Sequence, residues 1–153
     1  MSHESTPAVS APQGIDPRGP RVGAGITALL LAVTLLLGSS EAALWVLTFV
    51  ALSFLLGTLR GAQGTWQGWV FKTFVQPRLG PTAEREDPRP PRFAQGVGFV
   101  ITGVGVVLGF TVSLVAVPVA AGLALVAAVL NAAFGLCLGC EMYLLIRRFA
   151  PAR

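Results

Sequence analysis

The sequence is poor in the groups that do chemistry in water. Its 153 residues include one histidine, two cysteines, one tyrosine and seven carboxylates, and charged residues make up only 12%. There is no Ser-His-Asp set, no HExxH pair and no glycine-rich phosphate loop, which argues against a self-contained hydrolase, zinc protease or nucleotide enzyme. With 54% hydrophobic residues and a mean hydropathy of +0.72, the chain has too little polar surface to coat a soluble globule. The composition is that of an all-α integral membrane protein. A net charge of +4 and a pI near 10 would suggest nucleic acid in a soluble chain. Here the basic residues sit in connecting segments, where membrane topology accounts for them, and no nucleic-acid partner is expected.

Four apolar runs carry the fold. Residues 22–38, 42–59, 93–115 and 120–146 are long enough to cross the hydrocarbon core as helices, the first two near the short limit. Residues 1–14, rich in Pro and Ser, are expected to form a disordered cytosolic tail. Residues 15–148 form the membrane domain and 149–153 a short C-terminal tail. Gly38-Ser39-Ser40-Glu41 makes one outer turn and Ala116-Val117-Pro118-Val119 the other.

Arg18, Arg21, the first apolar run and the small residues up to Ala43 imitate a cleavable leader. A repeat speaks against cleavage, because Asp16-Pro17-Arg18-Gly19-Pro20-Arg21 before the first span recurs as Asp87-Pro88-Arg89-Pro90-Pro91-Arg92 before the third. The fold expected is therefore two in-out-in hairpins forming an internal repeat about an axis along the membrane normal.

Of the eleven Lys and Arg, two precede the first span, six lie in the 60–92 loop and three follow the fourth span, with none in the outer turns. The positive-inside rule then places both termini and that loop in the cytoplasm of a multi-pass cell-membrane protein. Arg18, Arg21, Arg89, Arg92, Arg147 and Arg148 are read as anchors among lipid headgroups. Trp66, Trp69, Val70 and Phe74 recur at helical spacing before Pro77, which predicts a short amphipathic helix in the bilayer interface, anchored by Trp66 and Trp69.

Small residues form stripes on the third span (Gly98, Thr102, Gly105, Gly109) and the fourth (Ala121, Ala128, Ala132, Gly135, Gly139). Each stripe holds a GxxxG pair, Gly105 with Gly109 and Gly135 with Gly139, and the two are expected to pack together. Cys137 then lies opposite the fourth span's stripe, with Cys140 and Glu141 around it, facing the first hairpin, a partner or lipid.

Both cysteines fall in Cys137-Leu138-Gly139-Cys140-Glu141. Two cysteines placed at random would be three apart roughly once in eighty, so the pair is read as a thiol site in preference to packing. On one continuous helix ending at Arg147, Cys140 would lie about 10 Å and Cys137 about 15 Å below the cytoplasmic surface. There a helix C-terminus, an adjacent carboxylate and a low dielectric would all disfavour the thiolate, unless the helix opens around Gly135 and Gly139. Glu141 would be the one formal charge deep in a span, a candidate proton carrier. Two thiols and a carboxylate leave a tetrahedral ion short of ligands, so neither metal nor cofactor is expected. A dimer could gather four thiolates, which keeps a homo-oligomer open.

The Asp-Pro-Arg-Gly-Pro-Arg lead-in, Glu86 to Gln95, and Asn131 to Tyr143 resemble a family of small actinobacterial membrane proteins of unknown function, over about Ile15 to Arg148. Members are often encoded near thioredoxin-like proteins and sulfurtransferases. The resemblance thus implies thiol or sulfane-sulfur handling, with Cys137, Cys140 and Glu141 on the family's motif. Three functions stay open: exchange of electrons or sulfur with a thioredoxin-like or sulfurtransferase partner, transport of a small sulfur species, and a purely structural membrane subunit.

Overall fold

The computed structural model describes residues 14–151. The expected cytosolic tail, with His3, falls almost wholly outside them. Among the described residues, four helices are long and apolar enough to span a bilayer: α1 (Arg18–Leu37), α2 (Glu41–Arg60), α5 (Arg89–Thr111) and α6 (Ala116–Phe134). At about 1.5 Å per residue each matches a hydrocarbon core about 30 Å thick. Between α2 and α5 lie a 3-10 turn (Ala62–Gly64), α3 (Trp66–Val70), a π-helical turn (Phe71–Val75) and α4 (Gln76–Leu79); α7 (Leu138–Phe149) ends the chain. The protein is an all-α, multi-pass membrane protein. Leu29, Leu36, Val100, Val104, Val107 and Val126 project outward, as side chains facing lipid do.

Local chemistry sets the helix ends. Proline lacks the N–H that a first helical turn leaves unpaired, so Pro20, Pro90 and Pro91 start α1 and α5 without loss. Asp16 Oδ1 accepts the Arg18 N–H at 3.0 Å, and Asp87 Oδ1 accepts that of Arg89 at 2.9 Å. In the turn between α1 and α2 Gly38 takes φ 62°, and the Ser40 hydroxyl caps α2 by accepting the Ala43 N–H at 3.1 Å. The turn expected at Ala116–Val119 lies earlier. It is made by Val112–Val115, and Pro118 sits in the first turn of α6, where a proline is tolerated as well as in a loop.

Helix α1 runs along α6 and α2 along α5, with α5 and α6 also in contact. Leu31, Leu47, Val50, Val117 and Ala121 fill the centre. Thr34 and Thr102 are wholly buried there and donate their hydroxyls to Leu30 O and Gly98 O, so neither hydroxyl is stranded in the core. Gly98 meets Phe54, Gly105 meets Ala120 and Leu47, and Gly109 meets Leu44 and Val117. The third span's stripe therefore receives α2 as well as the first turns of α6. The fourth span's expected stripe does not exist as one surface, because α6 stops at Phe134.

The two basic lead-ins meet. Ile15 and Glu86 form an antiparallel bridge, each N–H donating to the other's carbonyl at 2.9 Å. Arg92 donates to Thr58 O (2.6 Å) and Leu59 O (2.9 Å) at the end of α2. Arg21 donates to Ala132 O and Ala133 O at the end of α6, both at 3.4 Å. These arginines satisfy helix C-terminal carbonyls, a use that sequence reading, with its headgroup anchors, did not anticipate. Arg18 pairs with Asp16 at 2.8 Å and also bonds Gly80 O, whereas Arg89 pairs, among the described residues, only with Asp87, at 2.7 Å.

Candidate thiol site

The site exists because a helix breaks. Gly135 takes the left-handed conformation (φ 68°, ψ 14°), its N–H bonding Asn131 O at 3.0 Å while that of Leu136 bonds Leu130 O at 3.2 Å. This glycine-dependent cap closes α6. Leu136 follows, Cys137 becomes the N-cap of α7, and its Sγ accepts the Cys140 N–H at 3.3 Å. The two sulfurs are joined as a disulfide across a Cα–Cα distance of 5.1 Å.

This arrangement corrects the expectation of one span over 120–146. The cysteines do not lie 10 and 15 Å down a continuous helix, near its C-terminus. They form the first turn of a separate helix, where unpaired N–H groups and the helix dipole favour a thiolate. Gly139 rests against Ala94, two residues past Arg92, and Tyr143 meets Phe93 at a tilt with ring centroids 5.6 Å apart, so α7 lies across the start of α5. The break therefore puts the pair beside the basic lead-ins, at the edge of the spanning bundle. Glu141, expected deep in a span, is exposed in the first turn of α7. Arg147 and Arg148 lie exposed in its last turn, which suits the negative end of the helix dipole.

The two sulfurs differ in access. Cys140 is only 8% exposed, while Cys137 is half-buried. Both line a cavity of about 520 Å³ bounded by α1, α5, α6 and α7. Arg21, Gln95 and Asn131 bring polar groups to it, and Ile101, Leu123 and Ala124 make apolar wall. The Arg21 guanidinium also sits beside Gly135, its Cζ 3.7 Å from where a Cβ would be. Glu86 lines the cavity too, and desolvation, aided by the Asp87 charge, raises its carboxyl above the ordinary 4.5. Among the described residues no three His, Cys, Asp or Glu side chains come together as a metal site.

A helix stands where the amphipathic one was expected, as α3 and the turns after it. Trp66 is half-buried and donates Nε1–H to Ser53 Oγ at 2.9 Å, while Trp69 is exposed and meets Phe74 edge to face. Thr65 caps α3, accepting the Gly68 N–H at 3.1 Å as Cys137 accepts that of Cys140, and it follows a glycine cap (Gly61, φ 81°) as Cys137 follows Gly135. Sequence reading missed Gln67. It is buried on this helix with its amide reaching Thr27 Oγ1 at 3.5 Å, and among the described residues its Oε1 has no partner.

No curated protein and no solved structure matches the chain. The sequence pattern of DUF4395, a domain of unknown function, matches residues 15–148, nearly the whole chain, and the protein belongs to that family.

Proposed function

We propose that the protein is a membrane-embedded thiol–disulfide exchange subunit whose Cys137–Cys140 pair works with a thioredoxin-like or sulfurtransferase partner on the cytoplasmic side. The observation that carries this reading is the break at Gly135, which lifts the pair out of a span and sets it on a helix N-terminus. A partner thiolate attacks the more accessible Cys137 sulfur, the intramolecular S–S bond breaks, and Cys140 leaves as a thiolate that takes up a proton. The partner's second thiol then attacks the mixed disulfide and releases Cys137, so one disulfide and one dithiol have exchanged states. Exposed Glu141, next to Cys140, is the group we assign to proton uptake and release.

Orientation and symmetry belong to the same proposal. The basic residues at the start of α1 and α5, the end of α2 and the loop between them make this face cytoplasmic by the positive-inside rule. We further infer that the two in-out-in hairpins are copies of one unit, interleaved so that each half's first helix lies along the other half's second. The reciprocal Ile15–Glu86 bridge and the matched roles of Arg21 and Arg92 support it. On this reading Thr65 and Gly68 are the first half's counterparts of Cys137 and Cys140.

Transport of a small sulfur species would draw on the same cavity, but Ile101, Leu123 and Ala124 offer such a species no polar path. Differential alkylation of the cysteines in intact cells tests the exchange reading. A mixture of dithiol and disulfide that shifts when cells meet a thiol oxidant or reductant supports it. A pair fixed in one state throughout contradicts it.

A further inference from the structure

We propose that the cavity beneath the disulfide binds a lipid-soluble quinone, which accepts the electrons of the Cys137–Cys140 dithiol; this rests on the exchange reading above. Three observations converge. The cavity, at about 520 Å³, is of the size that takes a small organic ligand. Its wall is graded: Cys137, Cys140, Arg21 and Asn131 lie at the α7 end, and Ile101 and Leu123 lie within the spanning parts of α5 and α6. Cys140, too buried to meet a protein partner directly, is part of that wall.

The chemistry selects the ligand class. Closing the disulfide breaks two S–H bonds, forms one S–S bond and releases two electrons and two protons. A benzoquinone or naphthoquinone takes up two of each, forming two O–H bonds as it becomes the quinol. Its ring carbonyls need hydrogen-bond donors, which Arg21, Gln95 and Asn131 carry, and its isoprenoid chain needs apolar wall continuous with the bilayer. A nicotinamide or flavin nucleotide would need a phosphate cradle, and the chain has no glycine-rich phosphate motif. The quinone couple lies above that of an ordinary protein dithiol, so electrons run from the partner's dithiol to the pair and on to the quinone.

The test uses the full-length protein in lipid nanodiscs, reduced and freed of reductant, with decyl-ubiquinone and a short-chain menaquinone as probes. We expect one quinol per protein and a loss of two mass units as the disulfide forms. Ala127→Phe and Leu123→Trp, which fill the cavity wall, should slow quinol formation at least tenfold while leaving disulfide exchange with a reduced thioredoxin-fold protein unchanged. A pair that stays reduced in the presence of either quinone, yet still exchanges with the thioredoxin-fold protein, overturns the quinone site and spares the exchange reading. Loss of both reactions in the wild-type protein overturns both. A stable quinone–thiol adduct in place of a disulfide, or a bound phospholipid that quinone does not displace, also overturns the quinone site.

Discussion

A Cβ on Gly139 would lie 2.6 Å from both the Cα and the Cβ of Ala94, so α7 meets α5 nearly backbone to backbone. The Ala94 backbone cannot yield as the tip of a flexible side chain does. Gly139→Ala is therefore expected to lift the start of α7 and cost about 1–3 kcal/mol. Thermal unfolding in detergent should show a lower midpoint, and the reduced Cys140 should react faster with maleimide. Gly122→Ala is the control, because a Cβ there meets nothing within 4 Å and the change should be neutral or stabilising.

Gly135 carries the break itself. Its left-handed backbone costs an alanine about 1–2 kcal/mol, so Gly135→Ala favours running α6 on into α7. The expected result is a smaller disulfide fraction at a given redox poise, measured by alkylation and mass. An unchanged disulfide fraction in a fully folded variant would show that the break does not depend on this glycine.

These two glycines show where the sequence was legible. Four apolar spans, the turn at Gly38–Ser40 and a helix at Trp66 could be read from apolar run length and spacing. The break could not. Leu136, Cys137 and Leu138 keep the run apolar across it, and glycine is common enough in membrane helices that Gly135 and Gly139 suggested a packing stripe. One local likeness stands beside the break: a glycine, a side-chain cap and a new helix follow α2 at Gly61, Thr65 and Trp66, as they follow α6 at Gly135, Cys137 and Leu138. The arginine caps were invisible because they depend on which helices become neighbours.

The lead-ins make stability depend on pH. Arg18's hydrogen bonds hold the buried Asp16 carboxyl below its ordinary 3.8, so its stabilising contribution is fully present above that value and is lost as pH falls through the lowered one. Asp16→Asn should lower the unfolding midpoint at pH 7 and flatten its fall on the acid side. Glu86 runs the other way: its raised carboxyl means that ionisation opposes folding. Since its pairing with Ile15 is through the backbone, Glu86→Gln should leave the midpoint at pH 7 unchanged or higher.

Orientation is checked with the thiols. After mild reduction, a membrane-impermeant maleimide should label Cys137 in inverted vesicles and not in right-side-out cells. Labelling from the outside alone would place the site on the opposite face.

The most direct measurement is trapping by single cysteine variants in living cells. Cys140→Ser leaves Cys137, half-buried at the N-terminus of α7, with no second thiol to release a bound partner. It should accumulate a mixed disulfide with a cytosolic dithiol protein, resolved by dithiothreitol on a gel and assigned to Cys137 by mass, while Cys137→Ser gives at most a tenth as much. Absence of any adduct from both variants, or equal adducts from the two, would contradict an exchange site led by Cys137.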